Sequence, residues 1–87
     1  MEISDELIQE VIPAIKNQME MVQMPYVRET LTRLTKKEGI AEPEALEFMA
    51  QAFLICVNDM LLNKSASFDN KLYQTYLDAL PALPDES

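Results

Sequence analysis

Apolar residues recur along the first quarter of the chain at Leu7, Ile8, Val11, Ile12, Ile15, Met19 and Val22. At helical pitch they fall on one broad stripe, with Glu6, Glu10, Lys16, Asn17 and Glu20 largely outside it. The spacing predicts a helix over about 5–23. Ser4 or Asp5 supplies its N-cap, and the acidic residues of its first turn suit the helix dipole. Pro13 removes one backbone hydrogen bond and crowds the preceding turn. The stripe nevertheless keeps its phase across Pro13, so one helix kinked there is expected, with two short helices as the alternative.

Pro25 opens a second helix at its first position, where the missing N–H costs nothing. Tyr26, Val27, Leu31 and Leu34 make a narrower stripe, and the predicted span is about 25–37. Lys36 and Lys37 face the negative end of the dipole, and Gly39 follows at the left-handed C′ position. Glu42-Pro43-Glu44 then starts the longest element, predicted over 43–62. Its main stripe runs through Leu46, Met49, Ala50, Phe53, Val57, Met60 and Leu61, but Ala45, Phe48, Ala52, Leu54, Ile55, Cys56 and Leu62 make it apolar well beyond one face. A helix apolar on most sides is buried on most sides, which makes this the central strut.

After a polar loop, Ser67 or Asp69 caps a fourth helix over about 69–80, with Phe68 placed to staple it from outside. Leu72, Tyr73, Tyr76, Leu77 and Leu80 carry its apolar face; Pro81 stops it and a tail, 81–87, follows. Short connections between four such helices predict an all-α, compact four-helix bundle, a single helical domain over 1–87, with sequence neighbours antiparallel.

Composition narrows the picture without changing it. A chain of 87 residues, 48% hydrophobic, supports one core, and a single glycine with no tryptophan argues against a β-rich fold. Seven basic against fifteen acidic side chains give a net charge of −8, a field that repels nucleic-acid phosphates and anionic lipid. No stretch reads as approaching the roughly 18 apolar residues of a membrane span, and the acidic N-terminus does not resemble a signal peptide. With one cysteine, a reducing cytoplasm is the expected compartment.

The chain has no histidine, which removes the commonest general base and metal ligand. Cys56 sits among apolar neighbours and reads as a buried, inert thiol. Glu44, Glu47 and Gln51 share a helix face; this reads as a solvated surface, since no Glu-x-x-His motif accompanies it. Met19, Met21 and Met24 have thioether spacing, but packing or an adaptable contact surface is the reading favoured over a copper site. Arg28, Arg33, Lys36 and Lys37 make the second helix the net-positive segment, read as dipole and ion-pair partners. No enzyme activity, cofactor, metal or nucleic-acid partner is expected.

On the third helix, Phe48, Ile55 and Leu62 fall in or beside the sector of Glu44, Glu47, Gln51 and Asn58. Three apolar residues at helical spacing on a polar edge mark a contact surface unless the first helix or Leu83 covers them.

The run Pro25-Tyr26-Val27-Arg28-Glu29-Thr30-Leu31-x-Arg33-Leu34 is followed by Gly39, by Glu44-Ala45, and by Phe68-Asp69-x-x-x-Tyr73-x-x-x-Leu77-x-x-Leu80-Pro81. It resembles short, uncharacterised bacterial helical domains carrying V-R-x-T-x-x-R-L…F-D-x-x-x-Y…L-P. The resemblance implies a helical fold and a bacterial cytoplasmic origin, and brings no active site. The sequence therefore points to a small protein-interaction or accessory module, a homodimer being one form. The alternative is a small apolar-ligand-binding helical protein.

Overall fold

Ser4 starts the first helix by accepting the Leu7 N–H on its hydroxyl oxygen at 3.2 Å, and α1 runs Asp5–Gln18. In this computed structural model, which describes residues 3–64 and 68–83, three more helices follow: α2 (Pro25–Lys36), α3 (Glu42–Leu62) and α4 (Asn70–Ala79). No strand occurs among the described residues. Pro25 lies in the first turn of α2 and Pro43 in that of α3, where Glu42 and Glu44 complement the dipole. Asp69 caps α4 by accepting the Leu72 N–H at 3.0 Å. Phe68, just outside that cap, meets Tyr73 edge to face at 5.5 Å, the expected hydrophobic staple. Ser67, the other cap candidate, and 84–87 of the tail lie outside the described residues.

α1 passes through Pro13 as one helix, with Pro13 itself exposed, so the two-helix alternative does not hold. It stops at Gln18, five residues short of the expected end. The chain turns instead through short-range bonds, Glu20 N–H to the Asn17 carbonyl and Met21 N–H to that of Gln18. Two forces favour the early stop. Pro25 disfavours helical backbone at Met24, and the Arg28 guanidinium takes the Met19 carbonyl from outside the helix, at 3.2 Å. Val22, expected on the buried stripe, is consequently 94% exposed.

Gly39 has φ +69°, and the Ile40 N–H reaches back to the Leu34 carbonyl at 3.0 Å, closing α2 with a left-handed turn. A Cβ built at Gly39 would meet nothing within 4 Å, so only backbone strain resists a side chain here. Gly39→Ala should therefore cost about 1–2 kcal/mol, and Gly39→Asn less, in chemical denaturation.

α3 packs against each of the other helices, and α2 also touches α1 and α4. Ile15, Val27, Leu34, Met49, Tyr73 and Leu77 are fully buried, so every helix contributes to one core. Each such side chain contributes about 1.5–3 kcal/mol through removal from water. The Cα radius of gyration, 12.3 Å, is what a compact chain of this length should have, about 12 Å. The chain is thus an all-helical, compact globule.

α3 corrects one expectation from sequence. Its 21 residues contain an 18-residue stretch with a mean hydropathy of 1.5, long and apolar enough to cross a membrane by length and composition. Here that apolarity is used inside the globule, where Ala45, Leu46, Met49, Ala50, Ala52, Leu54 and Cys56 join the core. The burial stops before the helix does. Leu61, expected on the main apolar stripe, and Leu62 lie in the last turn beyond the core and are each 73% exposed.

Two α2 arginines tie the remaining helix ends. Arg33 donates to the Leu80 carbonyl at 2.8 Å and the Leu77 carbonyl at 2.9 Å, satisfying the C-terminal end of α4. Arg28 holds Met19 at the end of α1 and pairs with Glu20 at 3.3 Å. Among the described residues Arg28 fits the expected ion pairing with an acidic neighbour, and Arg33 binds carbonyls.

Candidate interaction site

The expected surface of Phe48, Ile55 and Leu62 is not an open stripe. Ile55 is only 5% exposed, Phe48 is half-buried against the core, and Leu62 alone of the three is open. The polar sector around them is partly covered by α1, whose Gln9 donates to Glu47 at 2.9 Å, while Glu44 stays exposed. Helical phase on α3 showed which residues share a sector; it carried no information on how far α1 overlaps that sector.

The reactive groups are accounted for by packing. Cys56 is fully buried, and burial, with Asp69 and Asp59 nearby, pushes its thiol up to about 11. Its raised value adds stability that is fully present below the ordinary thiol pKa and is lost as pH climbs from there through about 11. Native protein should accordingly resist a thiol reagent at pH 8 and label rapidly in denaturant; fast native labelling would contradict the burial. Tyr76 is raised to about 12, first by its hydrogen bond to Asp59 and then by burial. Among the described residues no three His, Cys, Asp or Glu side chains gather as metal ligands do. The methionine run is divided: Met21 and Met24 share one hollow, whereas Met19 lines another beside Lys16, Arg28 and Leu31. On α2, Arg28 and Arg33 are engaged with helix ends, and Lys36 and Lys37 stand exposed.

The hollow holding Met21 and Met24 is an open concavity lined without a charged residue. It has a volume of about 290 Å³ and opens between the end of α1, the 19–24 connection, α3 and the start of α4. Phe53 and Phe68 stack at 5.8 Å along its apolar side, and Tyr73 meets both rings edge-on at 5.5 Å. Met24 is buried there and Met21 is 45% exposed. Three amides, Gln18, Gln23 and Asn70, complete the lining, which carries no charge.

Two of those amides are oriented by tyrosines. Gln18, only 8% exposed, accepts the Tyr73 hydroxyl on Oε1 at 2.6 Å. Asn70 accepts the Tyr26 hydroxyl on Oδ1 at 2.8 Å. Burial raises the pKa of both hydroxyls, with Cys56 adding to each, so both stay protonated donors. With the amide oxygens occupied, the N–H groups of Gln18 and Asn70 are the donors these side chains have left to offer. The sequence held one signal of this network. Gln18 follows Ile8 and Ile15 at helical spacing, a polar residue on an apolar face, which normally requires a buried partner.

No protein family, curated protein or solved structure matches the chain. The site is therefore read from its own chemistry.

Proposed function

We propose that this chain is a small, non-catalytic cytoplasmic accessory module that works by binding protein, with a second copy of itself as the first occupant. Its four helices are read as an antiparallel bundle with α1 bent at Pro13. In this arrangement the 19–24 connection, the end of α3 and the start of α4 share one end of the molecule. Two contacts support that placement: the Met60 sulfur accepts the Asp69 N–H, and the Tyr26 hydroxyl reaches Asn70.

One observation carries the reading: of the five large apolar side chains exposed among the described residues, four belong to the 19–24 connection and the end of α3, and the fifth is Leu83. Val22 is 94% exposed, Leu61 and Leu62 73% each, and Met21 45%. Scattered exposed apolar residues need no explanation, but a cluster beside an apolar hollow marks a contact surface. Of the three residues expected from sequence, Leu62 belongs to this surface. A net charge of −8 favours neither nucleic acid nor anionic membrane as the occupant.

Sedimentation equilibrium tests the reading. The wild-type chain should approach dimer mass at high concentration, and Leu61→Ser with Leu62→Ser should return it to monomer. Two copies of like charge repel, so added salt should strengthen the pairing. A strict monomer at high protein concentration and high salt would end the self-association reading. The small-ligand alternative rests on the hollow alone, whose volume lies at the bottom of the ~300–1,000 Å³ range of ligand pockets. A thermal-shift panel of apolar compounds should leave the melting temperature unchanged.

A further inference from the structure

We propose that the outer face of α2 is a docking strip for a short acidic segment of a partner protein, with a carboxylate at each end and an apolar side chain between them. This surface is separate from the apolar end of the molecule, and the inference does not rest on self-association.

α2 and its C-cap hold four of the seven cations of the chain and one of its fifteen acids. Four-residue steps arrange them in two rows, Arg28-Thr32-Lys36 and Glu29-Arg33-Lys37. Together these six side chains line an open groove of about 460 Å³. The lining is largely hydrocarbon, from the stems of the long side chains, whose charges stand at the rim. Thr32, Lys36 and Lys37 are exposed.

The cations differ in what they have left to offer. Arg33 spends Nη1 and Nη2 on the carbonyls at the end of α4. Arg28 gives Nε and Nη2 to the Met19 carbonyl, and it already seats one carboxylate, that of Glu20, at 3.3 Å. Among the described residues this is the one ion pair, so no acid of the described fold closes the Lys36–Lys37 end of the groove. The strip thus takes carboxylates at two ends. Arg28 and Lys36 are eight residues apart, about 12 Å along the helix axis. In an extended segment, residues i and i+4 lie about 13 Å apart on one side, with i+2 between them. Acids at i and i+4 reach both ends, and an apolar side chain at i+2 covers the stems and the Thr32 methyl.

Charge complementarity selects this occupant. A second copy would bring a net charge of −8 spread over its surface, and a phosphate backbone is a continuous line of charge. Such a line overruns the strip onto Glu20 at one end and Glu38 at the other, where it is repelled. A five-residue segment stops where the strip stops. At physiological salt, charges act over about 8 Å, so the cations at the groove outweigh the acids of other faces.

Fluorescence anisotropy on the intact chain tests the strip. The probe is a labelled peptide with glutamates four residues apart and leucine midway, and the control replaces both glutamates by glutamine. The acidic peptide should bind and the control should not. Lys36→Gln with Lys37→Gln should weaken binding about tenfold, the loss of two exposed ion pairs, with the circular dichroism spectrum unchanged. Salt at about 0.5 M should weaken the wild-type interaction as well. No binding of the acidic peptide, equal binding of the two peptides, or unchanged affinity in the double variant overturns the proposal. Tighter binding of a single-stranded oligonucleotide of equal charge also overturns it, and assigns the strip to phosphate.

Discussion

Tyr73→Ala should lower stability by about 4 kcal/mol, the largest single effect expected for this chain. Tyr73 is fully buried and fills the space between Tyr26, Phe53 and Phe68, with ring centroids 5.5–5.9 Å away. Alanine would leave a cavity among three aromatic rings and strip Gln18 of its donor as well. For a domain of this size each kcal/mol moves the melting temperature by about 4–8 °C, so a fall of about 15–30 °C is expected by circular dichroism. Against a total stability of about 5–15 kcal/mol, the variant approaches the unfolding threshold at ambient temperature. Tyr73→Phe separates the two contributions. It keeps the ring and removes only the hydroxyl, so the loss should be about 1–2 kcal/mol, the cost of an unpaired amide oxygen at Gln18. Should Tyr73→Phe prove as damaging as Tyr73→Ala, the hydrogen bond and not the ring would be the main contributor.

Arg33→Ala should cost about 2 kcal/mol, the loss of two charge-assisted hydrogen bonds to the end of α4. The Leu77 carbonyl lies in the last turn of that helix and the Leu80 carbonyl at its C-cap, 2.9 and 2.8 Å from the guanidinium. The Leu77 carbonyl also accepts the Leu80 N–H at 3.1 Å, so the guanidinium adds a second donor there and meets the Leu80 carbonyl just past the helix end. The cation there also complements the negative end of the dipole. Arg33→Lys should recover less than half of the loss, because an ammonium cannot hold two carbonyls in a fixed fork. Arg28→Ala provides the contrast. Its side chain is 61% exposed and its Glu20 partner 80%, so about 0.5 kcal/mol or less is expected from that pair. Urea denaturation of the three variants would order them. Equal losses for Arg28→Ala and Arg33→Ala would contradict the capping role assigned to Arg33.

What the sequence made legible was local. Ser4, Pro25, Gly39 and Asp69 each act on backbone groups within a few residues, so their types and positions sufficed to place the starts of α1, α2 and α4 and the end of α2. The end of α1 was not legible, because no glycine marks it and the arginine that takes the Met19 carbonyl lies nine residues further on. Of the three apolar residues read on the edge of α3, only Leu62 is exposed. Whether an apolar residue on α3 is covered depends on the reach of other helices, which is why Ile55 is buried and Leu62 is not. The hollow escaped notice for a related reason. Gln18, Phe53 and the Phe68–Asn70 pair come from three separate stretches of chain, and no spacing along the sequence joins them.

The arginine clasps have a consequence for how the molecule comes apart. The final turns of α1 and α4 are held by side chains rooted in α2, so neither terminus can unravel as an independent frayed end while α2 stays in place. Amide protons near Ile15 and Leu77 should then exchange with solvent at one common opening free energy, as a single foldon. α2, the most polar-looking helix of the four, would set the mechanical unity of the whole.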